Sequence, residues 1–120
     1  MKESNIREKS FAFAVRVVKL YQYLAEKRVF VLSEQMLRSG TAVGAMIREA
    51  EHAESKPDFI HKMAIAQKEI NETIYWLELL AATELLTKQE FESIYNDAVE
   101  LIKTITTIIK STKQNLTTNN

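Results

Sequence analysis

Residues 33–59 read SEQMLRSGTAVGAMIREAEHAESKPDF, and this stretch decides the fold. Met36, Val43 and Ile47 recur on one face of a helix, with Ser33 as its expected N-cap and Leu32 and Leu37 as a hydrophobic staple. That helix is expected to run to about Glu54. Ser55-Lys56-Pro57-Asp58 then supplies a cap, a proline tolerated in a first turn, and an acid three residues after the serine. Two helices joined by so short a turn are antiparallel neighbours. Gly40 and Gly44 stand four apart, a spacing that lets another helix approach closely.

Downstream, the spacing predicts a third helix with a stripe of Phe59, Met63, Ala66, Ile70, Ile74, Leu77 and Ala81. Thr87-Lys88-Gln89-Glu90 is a capping box, flanked by Leu86 and Phe91, and opens a fourth helix. Its face is Phe91, Ile94, Tyr95, Ala98, Leu101, Ile102, Ile105 and Ile109. Upstream, a first helix is expected from about Asn5 to about Lys27, with Phe11, Ala14, Val15, Val18, Tyr21 and Ala25 toward the core. A second apolar set, Phe13, Val17, Leu20 and Leu24, lies beside the first and widens the arc to roughly 200°. One bundle core needs less than that. Phe13, Val17, Leu20 and Leu24 are therefore expected to meet another chain.

Short connections between four helices imply an all-α, up-down-up-down antiparallel four-helix bundle. The expected division is a bundle over residues 1–112 and a polar, disordered tail over 113–120. With 46% apolar residues, two glycines and one proline, the composition lacks the punctuation of a many-turned β protein. There is no cysteine, which excludes disulfide staples and thiolate chemistry. Early charges at Lys2, Glu3, Arg7, Glu8 and Lys9, with no apolar stretch before them that resembles a signal peptide, and the lack of any stretch long and apolar enough to span a bilayer set the expected address. A cytoplasmic protein without membrane partners is expected.

Net charge is zero, but unevenly spread. Residues 1–28 carry seven Lys or Arg against three Glu, a balance of +4, whereas residues 29–86 carry five against nine acids, a balance of −4. Lys9, Arg16, Lys19, Tyr23 and Lys27 share the face of the first helix opposite its apolar arc. Such a face is either ordinary solvated surface or a contact for RNA or single-stranded DNA, weak per chain, multivalent in an assembly and steeply salt-dependent.

Three further constellations have both a chemical and a structural reading. Glu49 to His52 and Asp58 to His61 repeat the carboxylate–histidine spacing of di-iron bundles, but both histidines stand near the turn, so solvated surface is expected and no metal or cofactor. Arg38 and Glu49 flank the second helix as Lys62 and Glu69 flank the third. Antiparallel pairing about Lys56 brings Glu49 near Lys62 and Arg38 toward Glu69, which fixes helix register or subunit contacts. Trp76 is expected to pack at the edge of its stripe. No residue is singled out as general acid, base or nucleophile, so no enzyme is expected.

The run from Gln35 to Leu80 resembles the four-helix bundle family encoded in intervening sequences of bacterial 23S ribosomal RNA genes. The resemblance rests on Gln35-Met36-Leu37-Arg38-Ser39, Gly44, Glu49-Ala50, Ser55, Asp58-Phe59, Ala66, Lys68-Glu69, Glu72-Thr73 and Tyr75-Trp76-Leu77 in that order. It implies a ring-like homo-oligomer, typically a pentamer, with no established enzymatic activity. It also implies kinship with the accessory variability determinant of diversity-generating retroelements, a basic pentameric bundle associated with nucleic acid and a reverse transcriptase. This chain departs from the pattern at Met46 and Arg48, where relatives often have asparagine and a small residue, and in its neutral charge. The expected function is a non-catalytic homo-oligomeric module with weak nucleic-acid contact through basic faces; the alternative is a structural or protein-protein adaptor without nucleic-acid binding.

Overall fold

The computed structural model describes the backbone of residues 2–118 and the side chains of residues 5–115. It contains α1 (Lys2–Glu26), α2 (Val31–Ala50), α3 (Lys56–Ala82) and α4 (Lys88–Thr118). Each helix packs on its neighbours in sequence and α1 closes onto α4, giving an antiparallel four-helix bundle about 54 Å long and 21–22 Å across. The helical backbone of α4 continues through residues 113–118, most of the expected tail, while Asn119 and Asn120 lie outside the described residues.

Two of the expected helix starts form as the sequence specifies. The Ser55 hydroxyl accepts from the Asp58 N–H at 3.1 Å, and the Asp58 carboxylate accepts from the Glu54 N–H at 3.1 Å. At α4, Thr87 and Glu90 exchange hydrogen bonds of 2.9 and 3.1 Å, a complete capping box. Ser33, by contrast, is not an N-cap. The helix already begins at Val31, and the Ser33 hydroxyl points backward, donating to the carbonyl oxygens of Val29 and Phe30. The cause lies upstream. Arg28 adopts a left-handed conformation, φ 63°, which turns the chain at the end of α1 through bonds from Arg28 N–H to Ala25 O and Val29 N–H to Leu24 O. That early turn leaves too little chain for a separate cap at position 33. Glu84, also at φ 63°, ends α3 in the same manner.

The core draws on every helix. Met36, Val43 and Ile47 are buried on α2, Met63, Ala66, Ile70 and Leu77 on α3, and Ile94, Ala98, Leu101, Ile105 and Ile109 on α4. On α3 the inner face is rotated slightly toward α2, so that Thr73 and Leu80 are buried while Ile74 and Ala81 are partly so. The Thr73 hydroxyl oxygen lies 2.8 Å from both Ser39 Oγ and Glu69 O, which satisfies two polar side chains inside the α2–α3 seam.

On α1 most of the two apolar sets exchange places, while Tyr21 packs against the core as expected. Phe13, Val17 and Leu24 are 3%, 0% and 0% exposed and belong to the protomer's own core, with Leu20 packed beside them. Phe11, Val15 and Val18, expected inside, are 59%, 38% and 37% exposed. Gly40 explains the exchange. A Cβ at Gly40 would stand 2.8 Å from both γ-methyls of Val17, so the missing side chain is what lets Val17 seat against α2. Gly44 faces the Ser10 carbonyl at an ordinary contact distance, 3.5 Å from where its Cβ would be. Close approach along this line turns Val17 inward and carries Phe11, Val15 and Val18 past the seam. There α2 offers only Thr41, Ala45 and Arg48, and Arg48 alone reaches over the Phe11 ring.

Candidate assembly and nucleic-acid surfaces

The basic residues of α1 do not face open solvent as a set, because α4 lies beside them with an acidic edge. Lys9 Nζ stands 3.7 Å from Glu100, and Arg16 pairs with Asp97 while also donating to Ser93 O at 3.2 Å and Ser93 Oγ at 2.7 Å. Lys27 donates to the Tyr23 hydroxyl at 2.6 Å and lies 4.3 Å from that ring's centroid. This hydrogen bond holds the Lys27 ammonium above its ordinary pKa. Glu90 is held below the ordinary carboxylate range by the Thr87 backbone N–H first and by Tyr23 second. Of the five predicted residues, Lys19 alone has no hydrogen-bond or charge partner among the described residues. Arg16, Lys19 and Tyr23 do line one shallow groove, floored by Leu20 and Ile94. Across the whole predicted face, three acids, Glu90, Asp97 and Glu100, offset most of the positive charge of Lys9, Arg16, Lys19 and Lys27. Sequence reading missed them as partners because the α1–α4 register had no close marker comparable to the turn at Lys56.

The α2–α3 surface forms the ion pairs that antiparallel pairing implies. Lys62 donates to Glu49 at 3.1 Å, and Arg38 reaches Glu69 at 3.3 Å. Arg38 also pairs with Glu72, which accepts from the Trp76 indole N–H at 3.0 Å. Glu72 is thereby held below its ordinary pKa, by Trp76 first and Arg38 second, and Arg38 is held above its own, by Glu72 first. Glu72 was legible in principle, since it stands four residues before Trp76 and three after Glu69. Trp76 is half-buried and meets Tyr75 edge-on, with ring centroids 5.0 Å apart. These contacts tie one helix to the other within a single chain and contain no nucleophile beside a base.

His52 and His61 are both exposed, and Glu49 turns to Lys62. Among the described residues no three side chains of the metal-ligating types converge. No helix is long and apolar enough to cross a membrane among those residues.

The remaining surface feature is the bare apolar stripe of α1. Phe11, Val15 and Val18 are exposed along it, and Phe11 borders a shallow groove with Ala14, Thr41, Gly44, Ala45 and Arg48. At the bundle end where α1 turns into α2, Phe30 and Val31 are exposed as well.

A crystal structure from Bacteroides thetaiotaomicron VPI-5482, described as a protein of unknown function from the S23 ribosomal protein family, is similar to this chain. The two share 55% identity at a TM-score of 0.90, over 92% of this chain and 99% of that one. No curated protein matches the chain significantly. The family model for the 23S rRNA-intervening sequence protein matches residues 2–107, nearly the whole bundle. The chain therefore belongs to the 23S rRNA-intervening sequence protein family.

Proposed function

We propose that this protein is a non-catalytic, self-associating helical module whose assembly face is the outer α1–α2 surface around Phe11, Val15 and Val18. The carrying observation is that these three side chains stay exposed on a finished bundle while Phe13, Val17 and Leu24 fill its interior. Burying a large apolar side chain contributes roughly 1.5–3 kcal/mol, so covering even part of three adjacent ones favours association. The ring implied by the family resemblance would supply that cover from a second copy. Light scattering of the wild-type protein at micromolar concentration is expected to give a multiple of the monomer mass. Val18→Asp is expected to lower that mass without loss of helicity. A monomer at all concentrations, or an unchanged assembly in both Val18→Asp and Phe11→Ser, would remove the basis for this reading.

Lys19 and the exposed Tyr23 ring support a second reading, contact with RNA or single-stranded DNA along the α1–α4 groove. The pairing of Lys9, Arg16 and Lys27 favours the adaptor reading over it. A gel shift of structured RNA at low salt that disappears in Lys19→Glu would reverse that preference. Equal migration of RNA with and without protein would end the nucleic-acid reading.

A further inference from the structure

At the bundle end that carries the α2–α3 turn, all four helices contribute to one cavity of about 310 Å³. Its walls include the core side chains Ile6 of α1, Ala50 of α2, Met63 of α3 and Ile108 of α4, none more than 4% exposed, with half-buried Phe59 beside them. The cavity thus opens directly onto the core. One charged residue lines it, Glu51, whose carboxylate already takes the Arg7 Nε–H at 3.0 Å.

Those features select a ligand by size, charge and shape. Small-molecule sites begin at about 300 Å³, so this one accommodates a fragment of one or two rings. The paired Arg7 and Glu51 leave the mouth with no net charge, and an ionic ligand would lose its hydration without a compensating field. A carboxylate has about four acceptor positions, so Glu51 can take one more donor while it holds Arg7. The Met63 thioether and the Phe59 ring both favour an aromatic body, through sulfur–ring and ring–ring contacts beyond simple burial. We propose that this cavity binds a neutral one- or two-ring aromatic molecule whose single N–H or O–H is directed at Glu51.

Indole is the simplest probe. Titrated into the full chain, it is expected to shift the methyl resonances of Ile6, Met63 and Ile108 saturably and to leave Ile94, at the other end of the bundle, unmoved. 1-Methylindole has nearly the same shape but no donor, and is expected to bind about tenfold more weakly, the loss of one hydrogen bond to a charged acceptor. Ala50→Leu, which fills the cavity from the α2 wall, is expected to abolish the shifts. The proposal is overturned if indole gives no saturable shift at millimolar concentration, if 1-methylindole binds as tightly, or if a folded Ala50→Leu binds like wild type. The comparison of the two indoles uses wild-type protein and decides the matter whether or not Ala50→Leu folds.

Discussion

The two seams of α1 are built from opposite chemistry. Against α2 it packs through glycine: Gly40 receives Val17 and Gly44 receives the Ser10 carbonyl, with no layer of long side chains between the helices. Against α4 it packs more sparsely and is bridged at the surface by Lys9 with Glu100 and Arg16 with Asp97. The difference shows how one helix can carry apolar residues on its outside. Close approach at a glycine seam leaves Arg48 as the one large α2 side chain over this stripe, and it lies over the Phe11 ring. Long charged side chains on the other flank do fold over, and they cover Leu20 and Ile94 in the process. The glycine seam sets the rotation of α1 and creates its bare stripe, while the charged seam neutralises most of its basic face.

The largest expected effect separates the inner set of α1 from the outer one. Leu24→Ala removes a fully buried side chain and is expected to cost about 2–5 kcal/mol of stability in urea denaturation. At dilutions where the protein is monomeric, Val18→Ala is expected to stay within about 0.5 kcal/mol, as surface changes do. Equal costs would mean that the outer stripe is already covered, by a second copy or otherwise. Concentration dependence of the Val18→Ala midpoint would identify a second copy as the cover.

Next come the glycines, which should respond with opposite signs. Gly40→Ala forces a methyl against the stiff, fully buried Val17 and is expected to destabilise by about 1–2 kcal/mol, overpacking outweighing the gain in helix propensity. Gly44→Ala meets only ordinary van der Waals distances and is expected to stabilise by up to about 1 kcal/mol. Thermal midpoints of the two variants measure this directly. Two changes of the same sign would contradict the assigned role of Gly40 in seating Val17.

The charged seam should prove weaker. Arg16→Gln loses its pairing with Asp97, both side chains being more than 40% exposed, and is expected to cost less than about 1 kcal/mol. Molar salt should narrow the gap between wild type and variant.

The smallest effect is a proton equilibrium on the α2–α3 surface. Glu72 is held below the ordinary glutamate value of 4.5 by the Trp76 indole and Arg38. A carboxylate held low contributes stability above its unfolded pKa and loses it as pH falls through the folded value. Trp76→Phe removes the first cause, so the Glu72 titration followed by carboxyl NMR should move upward. The small acid-side loss of stability should then be smaller and complete at a higher pH. An unmoved titration would show that Arg38 alone sets it.

Much of this protein is determined by its sequence without reference to tertiary structure. The cap at Ser55, the capping box at Thr87, the stripes of α2, α3 and α4, and the pairs Glu49–Lys62 and Arg38–Glu69 are short-range consequences of residue identity. They lie within one turn, along one helix, or across a tight connection whose centre is marked. The neutral total charge and the absence of cysteine are likewise plain. What only the tertiary structure decided is how α1 is rotated and what lies beside it. An apolar arc of roughly 200° has no preferred inward direction of its own, because helical periodicity places Val17 and Val18 equally well in a core. The choice depends on a helix about 25 residues away, where Gly40 has no side chain to exclude Val17. The acids that answer the basic face stand some 80 residues away on α4, and the relation of α1 to α4 was fixed by no single turn. Ser33 was misread for a related reason: a left-handed Arg28, which few sequences announce without glycine, moved the start of α2 upstream. Local interactions are written in neighbouring residues, whereas rotation, register and exposure come from the helices that happen to pack alongside.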